Sequence, residues 1–201
     1  HKNGGVFIAD EVQPGFARTG QAFFGFARHG IVPDMITMGK PMGNGIPISG
    51  LAAKEDVLAA FSDKLPYFNT FGGNPVSIAA AQAVLKYIKD ENLQEHCKKA
   101  GAALLKALKE VQERHPESVG DVRGAGLFLG FEFVKNDGNK TPDKDMALNV
   151  IEMLRDEHIL TSVIGHYGNI LKLRPPMVFS ENDIDWFATS LDKCITKLEN
   201  K

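Results

Sequence analysis

"PDMITMGKPMGNGIPISG", residues 33–50, sets a single lysine where an apolar run breaks into glycines and prolines. Met35, Ile36, Thr37 and Met38 read as a short buried strand. Gly39, Gly43 and Gly45, with Pro41 and Pro47, read as a tight irregular turn. A lysine taken alone is ordinarily a solvated surface ammonium. Lys40 earns a second reading from an earlier stretch. The first apolar run, residues 6–9, ends in "ADEVQPGFARTG", so Asp10 leaves the carboxyl end of one strand as Lys40 leaves that of another. Ligands of open α/β sheets bind outside those ends. A loop or capping aspartate would explain Asp10 alone, but not a carboxylate and an amine aimed into one crevice.

One cofactor needs this pair. Pyridoxal 5'-phosphate withdraws electrons only while its ring nitrogen stays protonated, which a buried carboxylate opposite that nitrogen secures. Its aldehyde is held by a lysine as a Schiff base, and the amine must be deprotonated to attack. Around Lys40 the apolar strand and the glycine-rich turn are expected to keep water away. Other ligands suit the stretch less well. "GKPMGNG" lacks P-loop spacing and runs into "IPISG" rather than a helix. His1, His29, His96, His115, His158 and His166 are scattered, and no Cys/His pair has zinc spacing, so no metal site is expected.

The composition, 43% hydrophobic and 24% charged residues, is that of an ordinary globular protein. A net charge of -2 gives no reason to expect nucleic acid or an anionic membrane as partner. No apolar run is long enough to span a bilayer. Cys97 and Cys194 fall inside helical patterns and read as small buried hydrophobes, which fits a reducing compartment. The expected compartment is the cytoplasm, any transit peptide lying before His1. Because "VFIAD" reads as a fully buried parallel strand that needs neighbours on both edges, the chain reads as the C-terminal piece of something longer.

Strands are expected at residues 6–9, 35–38 and 48–53, then a short helix at 54–61 and a glycine-rich loop at 68–75. Asn74 followed by Pro75 is a helix start, a capping side chain and then proline at the first helical position. Helical spacing runs from Val76 through Ile88, then resumes at Leu93 and continues to residues 115–116. "DVRGAGLFLGFEFV", residues 121–134, reads as antiparallel strands. The turn "KNDGNKTPDK" falls short of a calcium loop, and Thr141–Pro142 is expected to start the next helix. Strands at 159–164 and 169–173 flank a turn. Ser180 with Asp183 resembles a capping box, opening a helix with Ile184, Phe187, Leu191, Ile195 and Leu198 inward. The expected fold is α/β: part of a large parallel-sheet domain over residues 1–93, then a small α+β domain over 94–201.

"GGVFIADEVQPGFARTG", "VPDMITMGKPMGNGIP", "FNTFGGNPV", "VGDVRGAGL" and "LKLRPP" occur in this order and cover nearly the whole chain. With them the sequence resembles the C-terminal half of class III (ornithine/ω-amino acid type) pyridoxal-phosphate-dependent aminotransferases. The resemblance implies a fold-type I transferase and a homodimer with shared active sites. It implies that Asp10 pairs with the pyridinium nitrogen, that Val12 packs on the ring and that Gln13 hydrogen-bonds the ring hydroxyl. It makes Lys40 the Schiff-base lysine and proton shuttle, and has Thr70 reach the cofactor phosphate of the neighbouring subunit. Gly72 and Gly73 would let the backbone come close there. The implied reaction moves an amino group from an amino donor to a 2-oxo acid.

Three departures stand out. Ala17 replaces a usual glycine in "GFARTG". The family's phosphate-cup loop and ring-stacking aromatic precede His1. Lys172 takes the place of an arginine that in many relatives grips the substrate α-carboxylate, while Arg174 directly precedes Pro175. On one strand face, Lys172 and Arg174 would form a two-cation anion site or a solvated strand edge. The alternative reaction is a phospho-lyase acting on a phosphorylated amino alcohol such as ethanolamine phosphate. A third reading, of a different class, is a non-catalytic piece that serves subunit contact. Arg18, Arg123 and Asp121 sit in family-like motifs, and ion pairs or turn contacts account for them equally well.

Overall fold

The structure is a computed structural model describing residues 1–200, the side chain of Ala60 excepted. The chain divides into two compact units, the first His1–Gln94 and the second from Glu95 onward.

In the first unit, strands β1 (Ile8–Asp10), β2 (Met35–Met38) and β3 (Gly50–Ala53) form one sheet in that order. β1 runs parallel to β2, with Asp10 opposite Thr37, and β3 runs antiparallel to β2. Helices α1 (Glu55–Ser62) and α2 (Pro75–Asp90) follow. The Asn74 side chain accepts the Ser77 N–H and caps α2 as its sequence requires. The expectation that "VFIAD" is buried on both faces does not hold in this chain. β1 is an edge strand, and only Ala9 is buried while Val6, Phe7 and Ile8 are exposed. The third strand starts at Gly50 rather than at residue 48. Just upstream, the Pro47 carbonyl accepts from the Ser77 hydroxyl, so this part of the turn is tied to α2.

The second unit gathers α3 (Leu93–Arg114) from Glu95 on, β4 (Val119–Ala125), β5 (Phe128–Phe133), α4 (Lys144–Asp156), β6 (Ser162–Ile164), β7 (Ile170–Leu173) and α5 (Glu181–Glu199). Its antiparallel sheet has the order β4-β5-β7-β6. Alternation puts Leu129, Phe131 and Phe133 of β5 inward, and they share one core with Leu104 and Leu108 of α3, Leu154 of α4 and Leu191 of α5. Each such side chain stabilises by about 1.5–3 kcal/mol when fully buried. Gly101 sits inside α3 for a steric reason: a Cβ there would lie 2.3 Å from the Cα of Gly126. Ser180 and Asp183 form the capping box of α5. The helix expected from Thr141–Pro142 begins later, at Lys144, capped by Asp143. Pro142 is instead bridged to Val134, and the Lys135 N–H donates to Thr141, so this segment is held extended. Both cysteines are buried. Among the described residues no helix is long and apolar enough to cross a membrane.

Candidate functional site

The parallel register brings the carboxyl ends of β1 and β2 side by side. Asp10 closes β1, and its Oδ1 accepts from the Val12 N–H at 3.1 Å and the Thr37 hydroxyl at 3.2 Å. The Glu11 N–H donates to the Thr37 carbonyl, carrying the strand pairing one residue past Asp10. From β2, Gly39 leads into a short 3-10 turn, Lys40–Met42. Lys40 has φ 35, a backbone region that costs a non-glycine residue on the order of 1–3 kcal/mol. A Cβ on Gly39 would meet both Val12 methyl groups at 3.9 Å, so the two strand-end loops lie against each other.

Exposure is where this site departs from the expectation. Asp10 and Lys40 are exposed, not desolvated. β1 is the sheet edge and the turn after Lys40 is largely open, so the residues of this unit do not shield the two groups. Val12 and Gln13 are half-buried in the loop that follows β1. Ala17, at the usual glycine position, adopts φ 67 and is fully buried. Its N–H donates to the Phe23 carbonyl, so the loop holds alanine in a conformation glycine would adopt without cost.

Glu11 was not among the residues singled out by sequence. Its side chain is buried, 2% exposed. One carboxylate oxygen accepts the Gly25 N–H at 2.7 Å and the other the Phe26 N–H at 2.8 Å. A charged residue inside "DEVQ" gives no local sign of this, because its partners lie on a later turn.

Thr70 lies on the exposed loop ahead of α2. There Asn69 Oδ1 accepts the N–H groups of Phe71 and Gly72 at 3.2 and 3.0 Å, a self-bonded turn that orders the loop around Thr70. Gly73 has φ 69. In the Arg123 motif, the guanidinium is paired with Asp121 at 2.7 Å and Glu132 at 2.6 Å, a structural network. These carboxylates hold the Arg123 pKa above its ordinary value, Glu132 most strongly.

In the second unit, Lys172 and Arg174 line the same cleft, of about 540 Å³, together with Thr161, Ser162, Asp183 and Trp186. Ser162 pairs directly with Lys172 across β6 and β7, and the Thr161 hydroxyl donates to the Lys172 carbonyl. The Arg174 guanidinium carbon stands 4.1 Å from the centre of the Phe128 ring. Asp183, the acid in this cleft, is engaged by the Ser180 hydroxyl and N–H, in that order of effect, and its carboxyl is held below the usual range.

The donors at the ends of β1 and β2 fit pyridoxal phosphate in kind. A carboxylate suits a ring N–H, an amine suits an aldehyde, an amide suits a hydroxyl, and the Val12 methyls suit a ring face. Comparison with known proteins points the same way. The family described as aminotransferase class-III matches residues 1–195. An ethanolamine-phosphate phospho-lyase homolog of Caenorhabditis elegans is 44% identical over 96% of this chain and 42% of its own length. A mitochondrial alanine–glyoxylate aminotransferase 2 homolog of Arabidopsis thaliana is 41% identical over 98% of this chain and 41% of its own. Among solved structures, a phospholyase from Arthrobacter in complex with phosphoethanolamine superposes with a TM-score of 0.92 at 39% identity, over 97% of this chain and 46% of that one. The chain thus spans less than half the length of the relatives it matches.

Proposed function

This chain belongs to the class-III aminotransferases, and from that premise we propose that it carries the lysine and the ring-nitrogen carboxylate of a pyridoxal-phosphate-dependent aminotransferase. The observation that supports this most is the register of β1 and β2, with Asp10 and the turn of Lys40 at neighbouring strand ends. When bound, pyridoxal phosphate supplies an electron sink for the charge left as a proton departs from the substrate carbon. Asp10 keeps a proton on the ring nitrogen through its negative charge. Val12 covers one ring face and excludes water from it, and Gln13 orients the ring hydroxyl. Lys40 would hold the cofactor through its amine, and that amine, when free, would take the proton from the substrate carbon and deliver it to the cofactor carbon. Thr70 binds the cofactor phosphate of the neighbouring subunit, so the working unit is a homodimer. Its substrates are an amino donor and a 2-oxo acid, and its compartment is the cytoplasm.

A second reading has its own observation. Lys172 and Arg174 line one cleft, and two convergent cations, one a compact ammonium, suit a phosphate dianion better than a carboxylate. On this reading the same proton abstraction is followed by breakage of the C–O bond to a β-phosphate, as for ethanolamine phosphate, and inorganic phosphate leaves with the bonding electron pair. One assay separates the two. Intact protein is incubated with an amine plus pyruvate or 2-oxoglutarate, and separately with ethanolamine phosphate. Amino-acid product supports the aminotransferase, released phosphate supports the phospho-lyase, and neither product overturns both.

A further inference from the structure

We infer that Glu11 is a positioning residue that sets the Asp10 carboxylate against the cofactor ring, an inference that rests on the role proposed for Asp10 above. Glu11 is held at four points. Its N–H donates to the Thr37 carbonyl at 2.9 Å, and its own carbonyl accepts the Gly15 N–H at 3.2 Å. Its two carboxylate oxygens take the N–H groups of Gly25 and Phe26. A carboxylate suits this task because it offers two acceptors and no donor.

The next N–H along the chain is that of Val12, and it donates to Asp10 Oδ1. Fixing Glu11 therefore fixes one of the two donors, the other being the Thr37 hydroxyl, that set the rotation of the Asp10 carboxylate. It also fixes the start of the loop that carries Val12 and Gln13. Packing around it is close: a Cβ on Gly15 would stand 2.6 Å from the Glu11 carbonyl oxygen, and one on Gly25 would stand 3.3 Å from Glu11 Oε2 and 2.7 Å from Pro14. The loop from Glu11 to Phe26 thus folds back onto a buried charge immediately beside Asp10. An apolar residue would fill the space but leave two N–H groups without acceptors.

The test uses the intact protein with Glu11→Gln and Glu11→Asp. Glutamine keeps the size but sets an NH₂ against one of the two N–H groups. Aspartate keeps the charge but shortens its reach. Cofactor affinity, the visible absorption band and the pH titration of that band are measured beside thermal unfolding. We expect affinity to fall about tenfold, the equivalent of one charged hydrogen bond, and the titration midpoint of the band to move. Combined with Asp10→Asn, Glu11→Gln should move the midpoint no further, because its effect passes through Asp10. A lower unfolding temperature with unchanged affinity and midpoint, or a shift that adds to that of Asp10→Asn, overturns the inference, as does failure of both variants to fold. A wild-type protein that shows no band with pyridoxal phosphate removes the role of Asp10 as well. A normal wild-type band left untouched by both variants removes only the role of Glu11.

Discussion

Asp10 and Thr37 face each other across the parallel β1–β2 pair, and the Thr37 hydroxyl donates to Asp10 Oδ1 at 3.2 Å. The carboxylate is thereby anchored at the strand end through one oxygen. Asp10→Asn preserves the shape and removes the charge that would keep a ring nitrogen protonated. The expected outcome is a fall in kcat of about 10²–10⁴-fold, the scale of losing one positioned electrostatic or proton-handling group, while pyridoxal phosphate still binds. Steady-state kinetics beside an absorption titration check this. A near-normal rate would mean that another carboxylate serves the ring nitrogen.

Lys40 carries its amine on a turn that its neighbours hold in a left-handed backbone conformation, φ 35. Lys40→Ala removes the amine and is expected to abolish turnover together with the visible band formed with pyridoxal phosphate. Retained multiple turnover would refute the assignment. Lys40→Gly would separate chemistry from strain, since glycine adopts this φ freely: it should be as inactive as the alanine variant but at least as stable.

Asp34 accepts from the Lys54 ammonium at 2.8 Å and from the Phe7 N–H at 2.8 Å. The Lys54 contact, then the Phe7 N–H, hold its carboxyl below the usual range. A depressed carboxyl pKa contributes stability that is complete above the unfolded value, about 3.9, and is lost as pH falls through the folded value. Lys54 is raised by the same contact, so its share is present at neutral pH and lost only above about 10.4. The unfolding temperature of the intact protein should therefore gain acid sensitivity below about pH 4 from this pair. Asp34→Asn should flatten that part of the profile, and an unchanged profile would show that the pair contributes nothing.

Much of this architecture is written locally. Asn74 and Ser180 cap their helices by accepting backbone N–H groups only three residues on, and short-range chemistry of that kind is visible in the sequence. The neighbouring strand ends of Asp10 and Lys40 could be read from two apolar runs, each broken by polar and glycine-rich loops. What escaped depends on distant partners. Glu11 finds Gly25 and Phe26 fourteen and fifteen residues on. Pro142 was drawn out of a helix by its bridge to Val134. The exposure of Lys40 and Asp10 could not be inferred from apolar strands, because burial depends on what covers a sheet edge and not on the strand itself.

Gly101 lies inside a 22-residue helix, where alanine would ordinarily be preferred by about 1 kcal/mol. Here the Cβ would fall 2.3 Å from the Gly126 backbone. Backbone atoms cannot rotate away, so α3 and the β4–β5 turn would have to separate, at about 1–3 kcal/mol or more. Gly101→Ala is expected to destabilise by about 0–2 kcal/mol net or more, lowering the unfolding temperature by up to several degrees. A rise in stability would mean that the helix gives way without loss of packing.

Lys172 and Arg174 flank buried Leu173 and line one cleft, with Ser162 directly opposite Lys172. A carboxylate is gripped best by one planar, bidentate guanidinium, whereas a phosphate dianion is served by two cations converging on its several oxygens. The stacking of Arg174 over Phe128 restricts its guanidinium and makes Lys172 the more adaptable of the two. Lys172→Met and Arg174→Met keep much of each apolar stem and remove the charge. Each should raise KM for an anionic substrate about tenfold or more, the loss of one charged hydrogen bond, and leave cofactor affinity nearly unchanged. For ethanolamine phosphate the two effects should be similar in size; for an α-amino acid Arg174→Met should dominate. β7 lies between β5 and β6, so the solvated-edge reading of the pair does not hold. If both variants keep the wild-type KM on the best substrate found, the two cations do not bind substrate, and the case for a phosphorylated substrate loses its structural support.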